Sequence, residues 1–198
     1  MNIGLTGGIA TGKSTVSSFL VNRGALLIDA DAIAREVMLP GHPVLEAVVG
    51  RFGQAILQED GTLNRKKLGE HIFTHPEERK ALEAITHPAI RAEIRFRLEK
   101  YQQDFPNKLV VADIPLLYES GLENLFEEVM VVYVPREIQI QRLMQRDQIS
   151  MEQAEARLRA QMDIEVKKQK ADIVIDNSHG LAETEKQIEL FWQGKGLS

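Results

Sequence analysis

Apolar residues fall into five short runs along the chain. Ile3 and Leu5 belong to the first, residues 25–28 form the second, 109–112 the third, 129–134 the fourth and 173–175 the fifth. Each run is continuous rather than alternating, as expected of strands covered on both faces in a parallel sheet. Between the runs, apolar residues recur at helical spacing. Val16, Phe19 and Leu20 follow the first run, and Gly24 supplies a C-terminal stop. This alternation predicts an α/β fold, a parallel five-stranded sheet flanked by helices. Ligands on such sheets gather at the carboxyl ends of the strands. The residues that close each run, Asp31 and Asp113 among them, are therefore expected to share one cleft with the segment after the first strand.

Two stretches are too long to be simple crossovers. The first, residues 38–105, reads as wholly helical. Val44, Leu45, Val48, Val49 and Phe52 form one apolar stripe, with Gly53 after it. Asp60-Gly61 marks a turn, and Asn64 suits the cap of a helix running through Phe73. His75-Pro76 and His87-Pro88 each predict a break, with the proline in the first turn of a new helix. Ile90, Ile94 and Leu98 then mark an inner face. The second stretch, residues 137–169, carries Arg142 and Arg146 on one helix face and Arg157 and Arg159 on the next helix. Ser150 and Gln153 have the spacing of a capping box for that second helix. Its apolar stripe (Met151, Ala154, Leu158, Met162) is thin, which predicts packing on one side only.

Chemistry concentrates in residues 7–15, GGIATGKST. Gly7, Gly12, Lys13 and Ser14 satisfy the phosphate-binding loop (P-loop) pattern, and a strand precedes and a helix follows them, as the mechanism requires. Backbone N–H groups of such a loop wrap phosphates, and the helix N-terminus adds favourable potential. Gly7, Gly8, Ala10, Thr11, Gly12, Lys13, Ser14 and Thr15 are thus candidate ATP-binding residues, with Lys13 on the β- and γ-phosphates and Ser14 on Mg²⁺. Asp113, at the end of a strand, is the candidate second Mg²⁺ ligand; a cap or turn role is the alternative. A carboxylate at Asp29 or Asp31 can accept the proton of an acceptor hydroxyl, or can cap a helix over residues 32–38. Arg142 and Arg146 are candidate catalytic residues on a lid that closes over phosphates, against a solvated charged face. The expected division is a nucleotide-binding core (1–37, 106–136 and 170–198), a helical substrate-binding insertion (38–105) and a lid (137–169). His71 and His75 have metal-pair spacing but no evident third ligand, and Phe191 and Trp192 are expected to pack on the sheet.

Bulk properties change this picture little. The 198 residues suit one domain with an insertion, and 43% hydrophobic with 27% charged residues is ordinary for a globular protein. A net charge of −5 argues against a broad nucleic-acid surface. Cysteine is absent, which excludes disulfides and thiolate metal sites and fits a reducing compartment. The first strand begins at once, with no signal-like run, and no window approaches the length of a membrane span. A cytoplasmic protein, monomeric or weakly self-associating, is expected.

Several segments together carry a family resemblance: the loop, DADAIAR (29–35), HPAI (87–90), DIPLLYE (113–119), RLMQRD (142–147) and ADIVIDN (171–177). Over nearly the whole length and in this order, the chain resembles the dephospho-CoA kinase family. That resemblance implies transfer of the ATP γ-phosphoryl group to the 3′-hydroxyl of dephospho-CoA. It further implies that Asp31 is the catalytic base, that the inserted helices hold the CoA portion, and that Asn177 lies near the adenine of ATP. Arg35 and His87, within the matching segments, are candidates for substrate contacts; Arg65, Arg91 and Arg95 are candidate partners for the CoA phosphates or else solvated helix residues. Two departures stand out. The family loop often has Gly-Ser where this chain has Ala10-Thr11, so a positive φ at position 10 is expected to strain the alanine. Tyr118 stands where phenylalanine is frequent. A nucleoside or nucleoside-monophosphate kinase of similar architecture is the nearest rival. A GTP-dependent switch is less favoured, since no Asn-Lys-x-Asp segment occurs.

Overall fold

The computed structural model describes residues 1–197. Five strands, β1 (Asn2–Gly7), β2 (Leu26–Asp29), β3 (Val110–Asp113), β4 (Glu128–Tyr133) and β5 (Ile173–Asp176), form one sheet in the order β2-β3-β1-β4-β5. β1 runs parallel to β3, with Asn2 opposite Val110, and parallel to β4, with Ile3 opposite Glu128; β4 runs parallel to β5. All six residues of β1 are buried, the consequence of a central strand with neighbours on both edges. The helices are α1 (Lys13–Asn22), α2 (Ala30–Glu36), α3 (Pro43–Phe52), α4 (Arg65–Thr74), α5 (Pro76–Asp104), α6 (Arg136–Asp147), α7 (Met151–Arg159), α8 (Ile164–Lys170) and α9 (Leu181–Gly194). The chain forms two compact units: Met1–Ile28 together with the chain from Leu98 onward, and Asp29–Arg97.

In the sheet unit, Ile3 and Leu5 point to one face, where Val16 and Leu20 of α1 and Ile188 and Trp192 of α9 complete the core. Phe191 packs against the same cluster, so both aromatic residues of the last helix serve the core as expected. On the opposite face Gly4 lies so close to Leu117 and Phe126 that a Cβ there would come within 2.5 and 2.7 Å of their side chains. A smaller cluster, Leu143, Ala154 and Leu158, joins α6 to α7. The Ser150–Gln153 capping box is present in full, with reciprocal bonds of 3.2 and 3.0 Å. Met151 is exposed, and Met162 lies past the end of α7. A further helix, α8, follows where the sequence predicts only a pair of helices.

The Asp29–Arg97 unit is mostly helical. Val44, Leu45 and Val48 form the buried face of α3, which ends at Gly53 with φ 80°. The Asn64 side chain accepts from Lys67 N at 3.0 Å and caps α4. Two expectations require correction. The unit is not wholly helical, because Leu57 and Leu63 form an antiparallel bridge across the Asp60-Gly61 turn. The break expected at His87-Pro88 is absent, and α5 continues through Pro88. A proline in mid-helix removes the bond to the carbonyl four residues earlier. Here that carbonyl belongs to Ala84, and both Ala84 and Pro88 are solvent-exposed, so water can satisfy the freed group. Among the described residues no helix is long and apolar enough to cross a membrane.

Candidate phosphate-binding site

The loop between β1 and α1 is shaped by close approach. A Cβ on Gly8 would fall 2.2 Å from Gln139 Nε2, and one on Gly12 would fall 2.1 Å from Asn177 Nδ2. Gly12 also has φ 84°, a conformation that glycine adopts without penalty. Ala10 has φ 62°, so the strain expected from this departure is present, and a non-glycine residue there costs roughly 1 kcal/mol or more. The buried Thr11 side chain closes the turn by donating to Gly8 O at 2.9 Å. No acidic residue of α1 itself occupies its first turn, which leaves the positive potential of its N-terminus uncancelled from within the helix.

Lys13 and Asp113, at the ends of α1 and β3, form an ion pair in which both side chains are largely buried. Ser14 is exposed beside Lys13 in the first turn of α1. Asn177 closes the site from the end of β5. Its Nδ2 donates to Thr11 O at 2.8 Å, and its Oδ1 accepts from Thr184 Oγ1 at 2.7 Å. Both ends of its amide are thus spent on holding the loop. Arg142 donates to Asn177 O at 2.9 Å, which brings it to the rim of the loop. Arg146 points elsewhere: its guanidinium bonds Asp147 at 2.7 and 3.1 Å, and Arg157 pairs with the same carboxylate. These two arginines hold Asp147 below the usual carboxylate range.

In the Asp29–Arg97 unit, α2 starts two residues earlier than the sequence suggests. Asp29, not Asp31, is its N-cap and accepts from Ala32 N at 3.0 Å. Asp31 sits exposed in the first turn with no capping duty. Arg65 lines an apolar groove of about 240 Å³ with Met38, Leu68 and Ile90. His87 lines a separate groove of about 450 Å³ with Arg91 and Arg95. Arg35 is exposed and lines neither groove.

One residue of the site is invisible to the sequence reading. Lys167 of α8 is fully buried beneath the loop and donates to Gly7 O. In sequence it looks like one of three solvated lysines (167, 168, 170). The available signal is its position three residues after Ile164, on the helix's buried face.

A parallel sheet whose central strand leads through a glycine loop into a helix, with a lysine at the helix start paired to a carboxylate at the end of a neighbouring strand, defines a P-loop nucleotide-binding protein of the kinase type. Shikimate kinase from Aquifex aeolicus shares this fold at 19% identity, with a TM-score of 0.52 and coverage of 100% of this chain and 99% of that one. The sequence model of the dephospho-CoA kinase family matches residues 1–183, and the chain belongs to that family. Among its relatives, dephospho-CoA kinase from Symbiobacterium thermophilum is 49% identical over 191 residues, covering 96% of this chain and 80% of the relative. The structure of dephospho-CoA kinase from Campylobacter jejuni superposes with a TM-score of 0.76 at 37% identity, covering 98% of each chain.

Proposed function

We infer that this protein is a dephospho-CoA kinase, with ATP as phosphoryl donor and dephospho-CoA as the small-molecule acceptor. The single observation that carries this reading is the family match over residues 1–183, which includes an intact phosphate loop. In the reaction the 3′-hydroxyl oxygen of dephospho-CoA bonds to the γ-phosphorus. The bond from that phosphorus to the β–γ bridging oxygen breaks, and ADP leaves. Asp31 takes the hydroxyl proton; its exposure and its freedom from capping support this role. The loop from Gly7 to Thr15 holds the phosphates, and Lys13 neutralises charge as it moves toward the leaving group. Arg142 is the arginine best placed to reach a phosphate at the loop, while Arg146 acts through the order of α6 and α7.

Mg²⁺ fits this donor set. Ser14 and Asp113 offer the hard oxygen ligands it prefers, and when bound it would neutralise phosphate charge. Among the described residues no group of three or more His, Asp or Glu side chains converges. Phosphate oxygens and water therefore have to complete the coordination, as is usual for this ion. Arg35, Arg65 and His87 contact the acceptor, and Asn177 supports the loop beside the adenine. A cytoplasmic protein, monomeric or weakly associating and without nucleic-acid partners, agrees with the absence of cysteine and the charge of −5.

A coupled assay tests the reading. ATP with dephospho-CoA is expected to yield ADP, whereas AMP or nucleosides as acceptors are not. Turnover of AMP in preference to dephospho-CoA would turn the assignment to a nucleoside-monophosphate kinase. Lys13→Ala is expected to lose nearly all turnover, because Lys13 meets phosphate; it also breaks the largely buried ion pair with Asp113, so some loss of melting temperature is expected, and the rate is read well below it. Wild-type rates in that variant at saturating Mg-ATP would remove the loop from the mechanism.

A further inference from the structure

Among the described residues Lys167 is the largest fully buried side chain, and burying an ammonium group costs several kcal/mol unless every proton finds a partner. All three find one. Nζ donates to Gly7 O at 3.1 Å, to Pro115 O at 3.2 Å and to Glu119 Oε1 at 2.9 Å. Each acceptor belongs to a different part of the site. Gly7 opens the phosphate loop, and Pro115 lies two residues beyond Asp113. Glu119 also accepts from Met162 N at 2.9 Å, in the link between α7 and α8. Pro115 O is shared a second time, with Thr6 Oγ1 of β1 at 3.1 Å.

The adjoining loop residue is held by the same group of helices. Ile9 N donates to Gln161 Oε1 at 3.0 Å, and Ile9 O accepts from the buried Gln139 Nε2 at 2.8 Å. Gly7 still pairs with β4, and Gly8 O is bonded within the Thr11 turn. The support that ties residues 7–9 to the rest of the site comes from side chains of α6, α8 and the link between α7 and α8. Burial pushes the Lys167 ammonium below the ordinary lysine range, with Glu119 opposing that shift and Lys13 adding a little to it. The effect of Lys13 on Lys167 reflects two positive charges gathered near one loop.

We propose that Lys167 is a positioning residue for phosphoryl transfer: through Gly7 O, Pro115 O and Glu119 it fixes the phosphate loop against the strand end that bears Asp113 and against the helices that bear the arginines. This rests on the loop being the ATP site, as inferred above. A purely structural lysine would stabilise the fold without regard to ligand, whereas a positioning lysine sets the recognition of phosphates in particular.

The experiment compares binding of ATP and adenosine by calorimetry, with thermal melting alongside, in the wild type, Lys167→Met and Lys167→Met/Glu119→Gln. The double variant avoids leaving the Glu119 carboxylate without its ion-pair partner, while the amide oxygen that replaces it can still accept from Met162 N. Both variants are expected to weaken ATP binding by roughly tenfold or more, the scale of a lost charge-assisted contact, with adenosine affinity unchanged. The double variant is expected to recover melting temperature relative to the single one without recovering ATP affinity. Wild-type ATP affinity in a folded variant, an equal loss for ATP and adenosine, or failure of both variants to fold each overturns the proposal. If the wild type itself binds ATP no better than adenosine, the proposed function fails first and for a different reason.

Discussion

At the scale of single residues, the two aspartates after β2 have separate duties that the sequence leaves merged. Asp29 caps α2, and Asp31 does not. Asparagine caps about as well as aspartate, so Asp29→Asn is expected to be nearly silent in stability. Asp31→Asn is expected to melt within a degree or two of the wild type and to keep its ATP affinity, since removal of one exposed first-turn charge costs only about 0.3–1 kcal/mol. Its maximal rate should fall by roughly a hundredfold to a thousandfold, the lower part of the range for a lost general base, because proton movement is late in a loose transition state. Near wild-type turnover in Asp31→Asn would leave the base unassigned. The alanine in the loop gives a second test. Ala10→Gly relieves a φ of 62° and is expected to raise stability by about 0.5–1 kcal/mol, read as an increased melting temperature. A lower melting temperature would mean that the Cβ, which packs beside the α6–α7 cluster, contributes more than the strain costs. The Tyr118 hydroxyl is a further local departure: it is buried without a hydrogen-bond partner among the described residues, and burial raises its pKa to about 12.

At the scale of elements, the strands and the Asn64 and Ser150 caps are readable because their causes are local. Val129 to Val134 is apolar whichever partner it meets, and Ser150 and Gln153 bond only each other's backbone. Pro88 and Lys167 are not readable, because their environments are assembled from distant segments. A proline predicts a helix end unless the carbonyl it orphans faces water, and a lysine predicts solvent unless three acceptors converge on it. The candidate site divides in the same way. The loop and Asp113 are legible from their order in the chain, whereas the pairing of Arg142 with Asn177 O depends on the end of β5, 35 residues away. Pro88→Ala restores the missing α5 hydrogen bond at an exposed position. It is expected to stabilise the protein by about 1–3 kcal/mol in denaturant unfolding. A loss of stability would show that the helix is built around the proline and not in spite of it.

At the scale of the whole molecule, the arginine-bearing helices and the loop behave as one assembly, since Ile9 and Ala10 pack against the cluster of Leu143, Ala154 and Leu158. Arg142→Ala is therefore expected to reduce the maximal rate by roughly tenfold or more, the scale of one charge-assisted contact to phosphate. Arg146→Ala is expected to act less on rate and more on the order of α6 and α7, because its guanidinium is engaged by Asp147. Equal kinetic defects in the two variants would contradict this ranking and put both guanidinium groups on phosphate. The central position of β1 has a consequence of another kind, for the chain as it leaves the ribosome. β1 is synthesised before either of its neighbours, which begin only at Val110 and Glu128. At a translation speed of about 5–20 residues per second, the strand that carries the phosphate loop waits on the order of ten seconds with both edges open. During that interval the backbone edges of β1 stay unpaired, and the glycine loop after it has no sheet from which to present its amides. The loop therefore has no sheet on which to hold nucleotide until β3 and β4 have been made, and any pause in translation before residue 128 lengthens the exposure.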